Sequence, residues 1–406
     1  MDDTASQITS DLGEVKTQFF TFADERRPFN FRREQDSFWP VTLAYETYGR
    51  LNAGKSNAIL LFHALSGSQH AAGINRSVRE DIDKRWTEEM HIGWWDEFIG
   101  PGKALDTDQY FVICANYLGG CYGSSGPASI NPATGQPYAK DFPTVMFSDI
   151  VDSQVHLLDH FKIKKLHAVI GGSLGGLCAI NFSARYPDRV EAVVSIASGV
   201  ETSIQQRISN FEQITAIEDD KHYKGGNYYE GHPPNRGLAL ARMISHKNYI
   251  SLDAMEHRAK NTVIQPELDK KKWYWIEHKV ESYLRKQGLE FVERFDANTY
   301  LRIVDAWQKF DLLGDTGASS FVEMFKACSA QRHLVFTITD DDCFSLKQQE
   351  QLCSGLQEAG VPFQHVIVHS LKGHDSFLVE PELYTASIAY FLQGSGNRDA
   401  AKRAKA

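Results

Sequence analysis

A single serine lies between two pairs of glycines in the stretch HAVIGGSLGGLCAI, residues 167–180. Before it comes the apolar, β-branched pair Val169-Ile170, and after it the run 177–185 is typical of a helix. Small residues are needed where a strand turns directly into a helix, because bulky neighbours would collide with both elements. The stretch therefore predicts a strand–turn–helix unit that holds the Ser173 hydroxyl at the carboxyl end of a sheet.

The five residues Gly171-Gly-Ser-Leu-Gly175 fit the pattern G-x-S-x-G, in which the serine is a nucleophile on a strained turn. The helix that follows would point its N-terminus, with its partial positive charge, at a developing oxyanion. A glycine-rich turn that binds a phosphate or a dinucleotide is the alternative. The G-x-G-x-x-G spacing of dinucleotide sites is absent here, so the sequence favours the nucleophile.

Short apolar runs alternate with amphipathic segments along most of the chain. Seven runs predict buried strands: 41–45, 58–63, 110–115, 166–170, 192–197, 334–339 and 364–368. Helical patterns lie between many of them, as at 149–161, 346–359 and 382–392. This alternation predicts an α/β fold with a mostly parallel sheet flanked by helices.

One long segment lacks this alternation of strand and helix patterns. Residues 203–310 contain few strand-like runs and several charged helical ones, among them RGLALARMISH, HKVESYLRKQG and NTYLRIVDAWQKF. We therefore predict a helical lid insertion at 203–310, within an α/β core formed by residues 1–202 and 311–406.

Composition excludes several classes of function. A net charge of −9 over 406 residues argues against a nucleic-acid surface and against a polybasic membrane patch. No stretch of about 18 apolar residues could span a membrane, and no H-E-x-x-H motif or Cys/His cluster implies a metal. The start MDDTASQITSDLGEVKTQ lacks the pattern of a secretory signal, and the six scattered cysteines form no C-x-x-C pair. We expect a cytoplasmic protein whose partners are small molecules.

A serine hydroxyl is a weak nucleophile unless a base takes its proton, and the base needs an orienting carboxylate. With this motif the order along the chain is serine, acid, histidine. The segment FTITDDDCFS places the aspartates 340–342 just after a predicted strand, and VIVHSLKGHDSF places His374 after the last strand. His369, nearer to that strand, is the competing histidine. Both loops should emerge at the sheet edge that carries Ser173.

An oxyanion hole requires two backbone N–H groups. Leu174, the residue after the serine, should supply one of them. The other should come from the loop after an earlier strand, LLFHALSGSQH, in which Leu65 is the expected donor. His63 in the same stretch could act as a second base, but we expect it to lie beneath the oxyanion loop in a structural role.

The chain resembles a known family over most of residues 40–380. The stretches that carry the resemblance are LAYETYGRLN, HALSGSQHAAG, GWWDEFIGPGKALDTDQYFVICANYLGGCYGSSGP, INPATGQPYAKDFP, AVIGGSLGGLCAINFSARYPDRVEAVVSIAS, RGLALARMISH, ESYLRKQG, RFDANTYL and GHDSFL. They are similar to the homoserine O-acyltransferases, homoserine O-acetyltransferases among them, that have an α/β-hydrolase fold and a serine nucleophile.

The resemblance implies roles for individual residues. It makes Ser173 the nucleophile and His374 the base. The family's acid lies in a segment of the form Asp-x-x-(Phe/Tyr)-(Pro/Ser), which DDCFS beginning at Asp341 matches. The substrate-binding arginine of the ARM segment corresponds to Arg242, and the substrate-binding aspartate after the histidine corresponds to Asp375.

The resemblance also implies the reaction. An acyl group, acetyl by preference, would pass from acyl-CoA to Ser173 and then to the hydroxyl of L-homoserine, by a ping-pong mechanism that serves methionine biosynthesis. Acyl-CoA would be a co-substrate, with no permanently bound cofactor, and the chain would form a homodimer. Succinyl-CoA as donor, L-serine as acceptor, a serine esterase and a non-catalytic binding protein are the alternatives. Leu174 and Leu177 replace the methionines that are usual in the family.

Overall fold

The computed structural model describes residues 9–33, 37–79, 82, 84–264 and 273–394. Its strands are, in chain order, β1 (Gln18–Phe22), β2 (Phe29–Asn30), β3 (Ser37–Phe38), β4 (Val41–Tyr48), β5 (Ala58–Phe62), β6 (Ile99–Gly100), β7 (Leu105–Asp106), β8 (Phe111–Ala115), β9 (Leu166–Gly172), β10 (Val190–Ile196), β11 (Arg332–Ile338) and β12 (Phe363–Val368). Among the described residues, β2 pairs with β3 and β6 with β7, while the others form one sheet.

The sheet has eight strands in the order β1-β4-β8-β5-β9-β10-β11-β12. From β8 to β12 all neighbours run parallel, and β4 and β1 add two antiparallel pairings at one end. Parallel neighbours require crossovers that return the chain to the same end of the sheet, and helices supply most of them. The mostly parallel sheet flanked by helices is confirmed.

The α-helices of the described residues are α1 (Phe147–His160), α2 (Leu174–Arg185), α3 (Ile204–Glu218), α4 (Asn235–Tyr249), α5 (Leu252–Ala259), α6 (Lys279–Arg294), α7 (Ala297–Gln308), α8 (Leu312–Thr316), α9 (Phe321–Lys326), α10 (Leu346–Glu358), α11 (Ser376–Val379) and α12 (Thr385–Gln393). No helix within these residues combines the length and the apolar character needed to cross a membrane.

Alternate residues of the central strands fill two apolar cores, one on each face of the sheet. On β5, Leu60 belongs to one core while Ile59 and Leu61 belong to the other. Every residue of β5 is buried, because both faces of a parallel strand are covered. The central strands are therefore held rigidly, and so are the ends from which the site loops emerge.

Helices replace strands in the segment 203–310, so far as the structure describes it. Helices α3 and α4 pack against each other, and α4 also packs against α6 and against the turn Gly373–Asp375 that follows β12. The segment thus lies beside the carboxyl edge of the sheet. Its division from the core as a lid insertion stays a prediction.

Several element boundaries differ from the sequence prediction. Helix α2 begins at Leu174 rather than at 177, because the turn at Ser173 leads straight into it. The antiparallel edge strand β1 was not predicted, since its residues QFFTF are mostly exposed and lack an apolar run. The helix predicted at 382–392 is split, with a 3₁₀ turn at Pro381–Leu383 before α12 begins.

Candidate active site

Loops from neighbouring strands meet at the carboxyl edge of the sheet. In the pairing register, Gly172 at the end of β9 lies opposite Ile196 of β10. Ile338 at the end of β11 likewise lies opposite Val368 of β12. The residues that follow these strand ends therefore share one edge of the sheet, which is where ligands bind in α/β folds.

Ser173 occupies a sharp turn between β9 and α2. Its φ of 58° and ψ of −126° lie outside the regions that side chains normally adopt, so the turn stores backbone strain. Its N–H donates to the Ile196 carbonyl at 2.9 Å. A Cβ on Gly171 would lie 2.1 Å from the Gly175 oxygen, and one on Gly175 would lie 2.3 Å from the Phe62 oxygen. Glycine is required at both positions by close backbone approach.

Ser173, His374 and Asp341 form a continuous hydrogen-bonded chain. The Ser173 hydroxyl oxygen lies 2.8 Å from His374 Nε2, and His374 Nδ1 lies 2.7 Å from Asp341 Oδ2. All three residues are buried, with exposed fractions of 5%, 3% and 5%. Because a carboxylate only accepts, Nδ1 carries the ring proton and Nε2 presents its lone pair to the serine hydroxyl. The structure thus brings together three residues that lie far apart in the sequence.

The geometry distinguishes Asp341 from its neighbours. Its second oxygen, Oδ1, accepts the N–H groups of Cys343 at 2.8 Å and Phe344 at 2.7 Å, so every contact fixes the carboxylate toward His374. Asp340 instead accepts a hydrogen bond from the adjacent Thr339 hydroxyl. The competing His369 is exposed and contacts that same threonine at 3.3 Å.

Two opposing effects act on the base. Burial lowers the pKa of His374, but the Asp341 carboxylate and its hydrogen bond raise it by more, so the pKa lies above its ordinary value. The imidazole ring is stacked near Phe344 and meets Phe377 edge-on, each with ring centroids 5.6 Å apart. The ring is therefore fixed in orientation and ready to hold a proton.

The two expected oxyanion donors lie at the same edge. Leu174 is the first residue of α2, and Leu65 is buried in the loop that follows β5. Among the described residues, neither backbone N–H is paired with an acceptor. The end of β5 and the first turn of α2 touch, as the close approach of Gly175 to Phe62 shows. Their role as an oxyanion hole stays a prediction.

The His63 ring is held by groups other than Ser173. Its Nδ1 is 2.7 Å from the Ala64 carbonyl, and its ring stacks on Tyr117 with centroids 3.7 Å apart. Burial lowers the pKa of His63 to about 4, so the ring is neutral at physiological pH. Leu174 and Leu177 are fully buried in the apolar core that also contains Tyr117.

Arg242 on α4 and Asp375 on the turn after β12 face the same region. Neither has an ion-pair partner within 4.0 Å among the described residues. Burial raises the pKa of Asp375 above its ordinary value, although His374, Arg242 and Arg258 act in the opposite direction. The Arg242 guanidinium lies 5.4 Å from the Tyr249 ring centre and 5.0 Å from that of Phe291. A half-buried cation and a half-buried carboxylate are thus left for a ligand that carries both charges.

The sequence analysis did not assign a role to Tyr249. Its ring centre lies 6.1 Å from that of His374, and its buried hydroxyl has no hydrogen-bond partner within the described part of the chain. Tyr249 follows Arg242 by seven residues on the same helix, a spacing that puts both on one face. The seven-residue spacing from Arg242 was the sequence feature that could have identified Tyr249 as a site residue. No group of three or more metal-ligating side chains occurs among the described residues.

A family model with the description "alpha/beta hydrolase fold" matches residues 57–381. A homoserine O-acetyltransferase of Methanococcus vannielii is 42% identical over 94% of this chain and 73% of its own length. A homoserine O-succinyltransferase of Alkalilimnicola ehrlichii is 41% identical over 91% of this chain and 93% of its own.

Solved structures agree with these relatives. The homoserine O-acetyltransferase of Bacillus anthracis superposes with a TM-score of 0.81 at 30% identity, covering 93% of this chain and 97% of that one. Esterase E22 superposes with a TM-score of 0.80 at 28% identity, covering 93% and 100%. The chain therefore belongs to the α/β-hydrolase fold family and, within it, to the homoserine O-acetyltransferases and O-succinyltransferases.

Proposed function

We propose that this protein transfers an acyl group from acyl-CoA to the hydroxyl of L-homoserine through an acyl-Ser173 intermediate. The observation that carries the proposal is the chain of hydrogen bonds from Asp341 through His374 to Ser173, with links of 2.7 and 2.8 Å. This arrangement is the one that activates a serine for attack on a carbonyl group. Family membership supplies the substrates.

In the first half-reaction the Ser173 oxygen attacks the thioester carbonyl while His374 Nε2 takes the hydroxyl proton. Asp341 stabilises the imidazolium that forms. When the tetrahedral intermediate collapses, the carbon–sulfur bond breaks and the imidazolium returns its proton to the CoA sulfur. The products are free CoA and an ester on Ser173. Backbone N–H groups of Leu65 and Leu174 would hold the oxyanion, each contributing roughly 3 kcal/mol.

In the second half-reaction the hydroxyl of homoserine takes the place of CoA. His374 accepts its proton, the oxygen attacks the ester carbon, and the proton then passes to the departing Ser173 oxygen. Arg242 would bind the carboxylate of the amino acid, for which a planar guanidinium is well suited. Asp375 would bind its ammonium, which gives a partner to a half-buried carboxylate that otherwise has none within 4.0 Å among the described residues. The Tyr249 ring lies 5.4 Å from the Arg242 guanidinium, and its hydroxyl would contact the same substrate.

Acetyl-CoA is the donor we favour, because an acetyl group needs no further recognition. Succinyl-CoA would need a cation for its distal carboxylate, and a relative at 41% identity is a homoserine O-succinyltransferase. L-Serine as acceptor differs from homoserine by one methylene, a discrimination worth only about 1–3 kcal/mol in a pocket. The product of the favoured reaction, O-acetylhomoserine, enters methionine biosynthesis.

An esterase is the second candidate, favoured by the close superposition on esterase E22. The serine chemistry would be identical, and only the group that reaches the acyl-serine would differ. The helices of 203–310 beside the site would exclude water and so favour the amino acid.

A homodimer and a cytoplasmic location belong to the same proposal. Ile204, Ile208 and Phe211 lie on one face of α3 and are 77%, 56% and 65% exposed. We call these three residues the α3 stripe, and a second copy of the chain is its proposed occupant. All six cysteines are free and buried, as suits a reducing compartment.

The test is a donor and acceptor screen. Acetyl-CoA and succinyl-CoA are each supplied with L-homoserine, L-serine or no acceptor, and CoA release and product mass are followed. We expect steady CoA release only with homoserine, together with O-acetylhomoserine. Equally fast steady release without any acceptor would instead identify a hydrolase.

A further inference from the structure

We propose that Gln206, on the first helix of the 203–310 segment, is a positioning residue for the acid of the serine relay. Gln206 lies outside the loops that carry the relay and is 2% exposed. Its Nε2 donates to the Cys343 carbonyl at 2.7 Å. The inference rests on the proposed function only in that Ser173, His374 and Asp341 are taken to act together.

The importance of this contact comes from the planarity of the peptide group. The Cys343 carbonyl and the Phe344 N–H belong to one peptide unit and point in opposite directions. The Phe344 N–H donates to Asp341 Oδ1 at 2.7 Å. By holding the carbonyl end of this unit, Gln206 fixes the direction in which the N–H end meets the carboxylate.

A single line of hydrogen bonds therefore runs from α3 to the nucleophile. It passes from Gln206 to the 343–344 peptide, then to Asp341, His374 and Ser173, with links of 2.7, 2.7, 2.7 and 2.8 Å. Buried hydrogen bonds in such a series polarise one another. The helical segment thereby contributes to the relay without contacting a reacting atom.

The amide of Gln206 is held from its other side as well. Its Oε1 accepts the Ser203 N–H at 2.9 Å and the Nε2 of Gln348 at 2.9 Å. Gln348 also donates to the Glu201 carbonyl at 3.1 Å. Two donors face Oε1 and a carbonyl faces Nε2, so the amide can adopt only this orientation. Such a network is built to hold one geometry.

The experiment measures how fast Ser173 reacts with a small fluorophosphonate as pH is varied, in Gln206→Met and in wild-type protein. Methionine keeps the volume of the side chain but cannot donate, so the 343–344 peptide is free to turn. Asp341 then holds His374 less firmly, and its contribution to the raised pKa of His374 falls. We expect the plateau rate to drop about tenfold and the midpoint of the acid limb to move to lower pH.

Gln213→Met is the matched control. Gln213 lies seven residues further along α3, is 1% exposed and, within the described part of the chain, hydrogen-bonds only with Ser209 and Tyr300. We expect its plateau rate and midpoint to stay within about twofold of wild type, at a comparable loss of thermal stability. Gln206→Asn is a second variant, since it keeps an amide but is one methylene too short to reach Cys343, and it should shift the midpoint in the same direction.

The proposal is overturned if Gln206→Met reacts as wild type does, if its rate falls with no change in midpoint, or if the Gln213 control shifts equally. Should Gln206→Met not fold, the asparagine variant decides by the same criteria. Failure of the serine relay itself has a separate signature, because the wild-type protein would then not be labelled at Ser173, and failure of transfer to homoserine is measured separately by the donor and acceptor screen.

Discussion

The α/β core and the helical segment 203–310 meet at the site but differ in what they contribute. Ser173, His374 and Asp341 all follow strands of the core, whose central members are buried on both faces. The helical segment contributes Arg242 and Tyr249, and it exposes the α3 stripe to solvent. Under the proposed function, the core therefore carries the bond-making groups, while the helices supply substrate contacts, the assembly surface and, through Gln206, support for Asp341.

A physical reason supports this division. A proton relay requires distances that hold to within a few tenths of an ångström, and a sheet packed on both faces supplies them. An amino-acid pocket needs a cation and an anion placed more loosely, and helix faces can carry both. If the division holds, changes in the core should lower turnover with every substrate. Changes in the helices should alter affinity or assembly, except at Gln206, whose amide supports Asp341 and whose replacement should lower the reactivity of Ser173.

The largest effect is expected at the base. His374→Ala should lower kcat by about 10⁴-fold or more, because no other described residue lies at hydrogen-bond distance from the Ser173 hydroxyl oxygen to take its proton. The KM for homoserine should change little. Steady-state kinetics with the favoured acyl-CoA measures both, with circular dichroism as a check on folding. Substantial turnover by His374→Ala would show that the core does not supply the catalytic base.

The second-largest loss of turnover is expected from substitution of Asp341, the proposed acid of the relay. Asp341→Asn should lower kcat by about 10⁴-fold, because an amide at this position favours the wrong tautomer of the imidazole. Since the carboxylate raises the pKa of His374 and the base must be neutral, wild-type kcat/KM falls as pH drops through that raised pKa. Without the carboxylate the fall should come at lower pH. A pH–rate profile measures this, and an unchanged midpoint would contradict it.

A smaller and more selective effect is expected from the helical segment. Arg242→Lys should raise the KM for homoserine by about 10- to 100-fold, since an ammonium cannot bind the carboxylate in a bidentate manner. Formation of the acyl-serine from acyl-CoA alone should stay within about twofold of wild type. Stopped-flow measurement of CoA release separates the two. A slowed first half-reaction would place Arg242 in the chemistry shared by both substrates.

The smallest effect on turnover is expected from the α3 stripe. Ile208→Asp puts a charge at the centre of this apolar face and should shift the protein from dimer to monomer, with kcat within about threefold of wild type. Analytical ultracentrifugation measures the state of assembly. Gln205→Asp adds the same charge at an exposed neighbouring position and should leave a dimer. A dimer that persists in both variants would exclude the stripe as the interface.

The sequence predicted the sheet and the strand ends well. Apolar, β-branched runs in a chain of this length have few other stable arrangements, so the parallel order and the shared carboxyl edge followed. The glycines around Ser173 also had a specific physical meaning, and the structure shows the close approaches that require them. The choice of Asp341 among three aspartates came from the family pattern, since composition and spacing left it open.

What the sequence could not predict depends on contacts between distant segments. In the sequence, Gln206 is an ordinary polar residue of a predicted helical segment. Only the fold brings its amide to the Cys343 carbonyl, 137 residues away. The arrangement of the helices in 203–310 was unpredictable for the same reason, because their charged patterns allow several packings. Residues 265–272 of that segment lie outside the described residues.

The most direct test of the account is the covalent intermediate. The protein is mixed with acetyl-CoA, and separately with succinyl-CoA, without an acceptor, and its intact mass and tryptic peptides are measured. The account predicts one acyl group on the peptide that contains Ser173, its removal by L-homoserine with formation of the O-acyl amino acid, and no acylation of Ser173→Ala. Formation of O-acylhomoserine at the full rate by Ser173→Ala, with no acylated peptide, would contradict it.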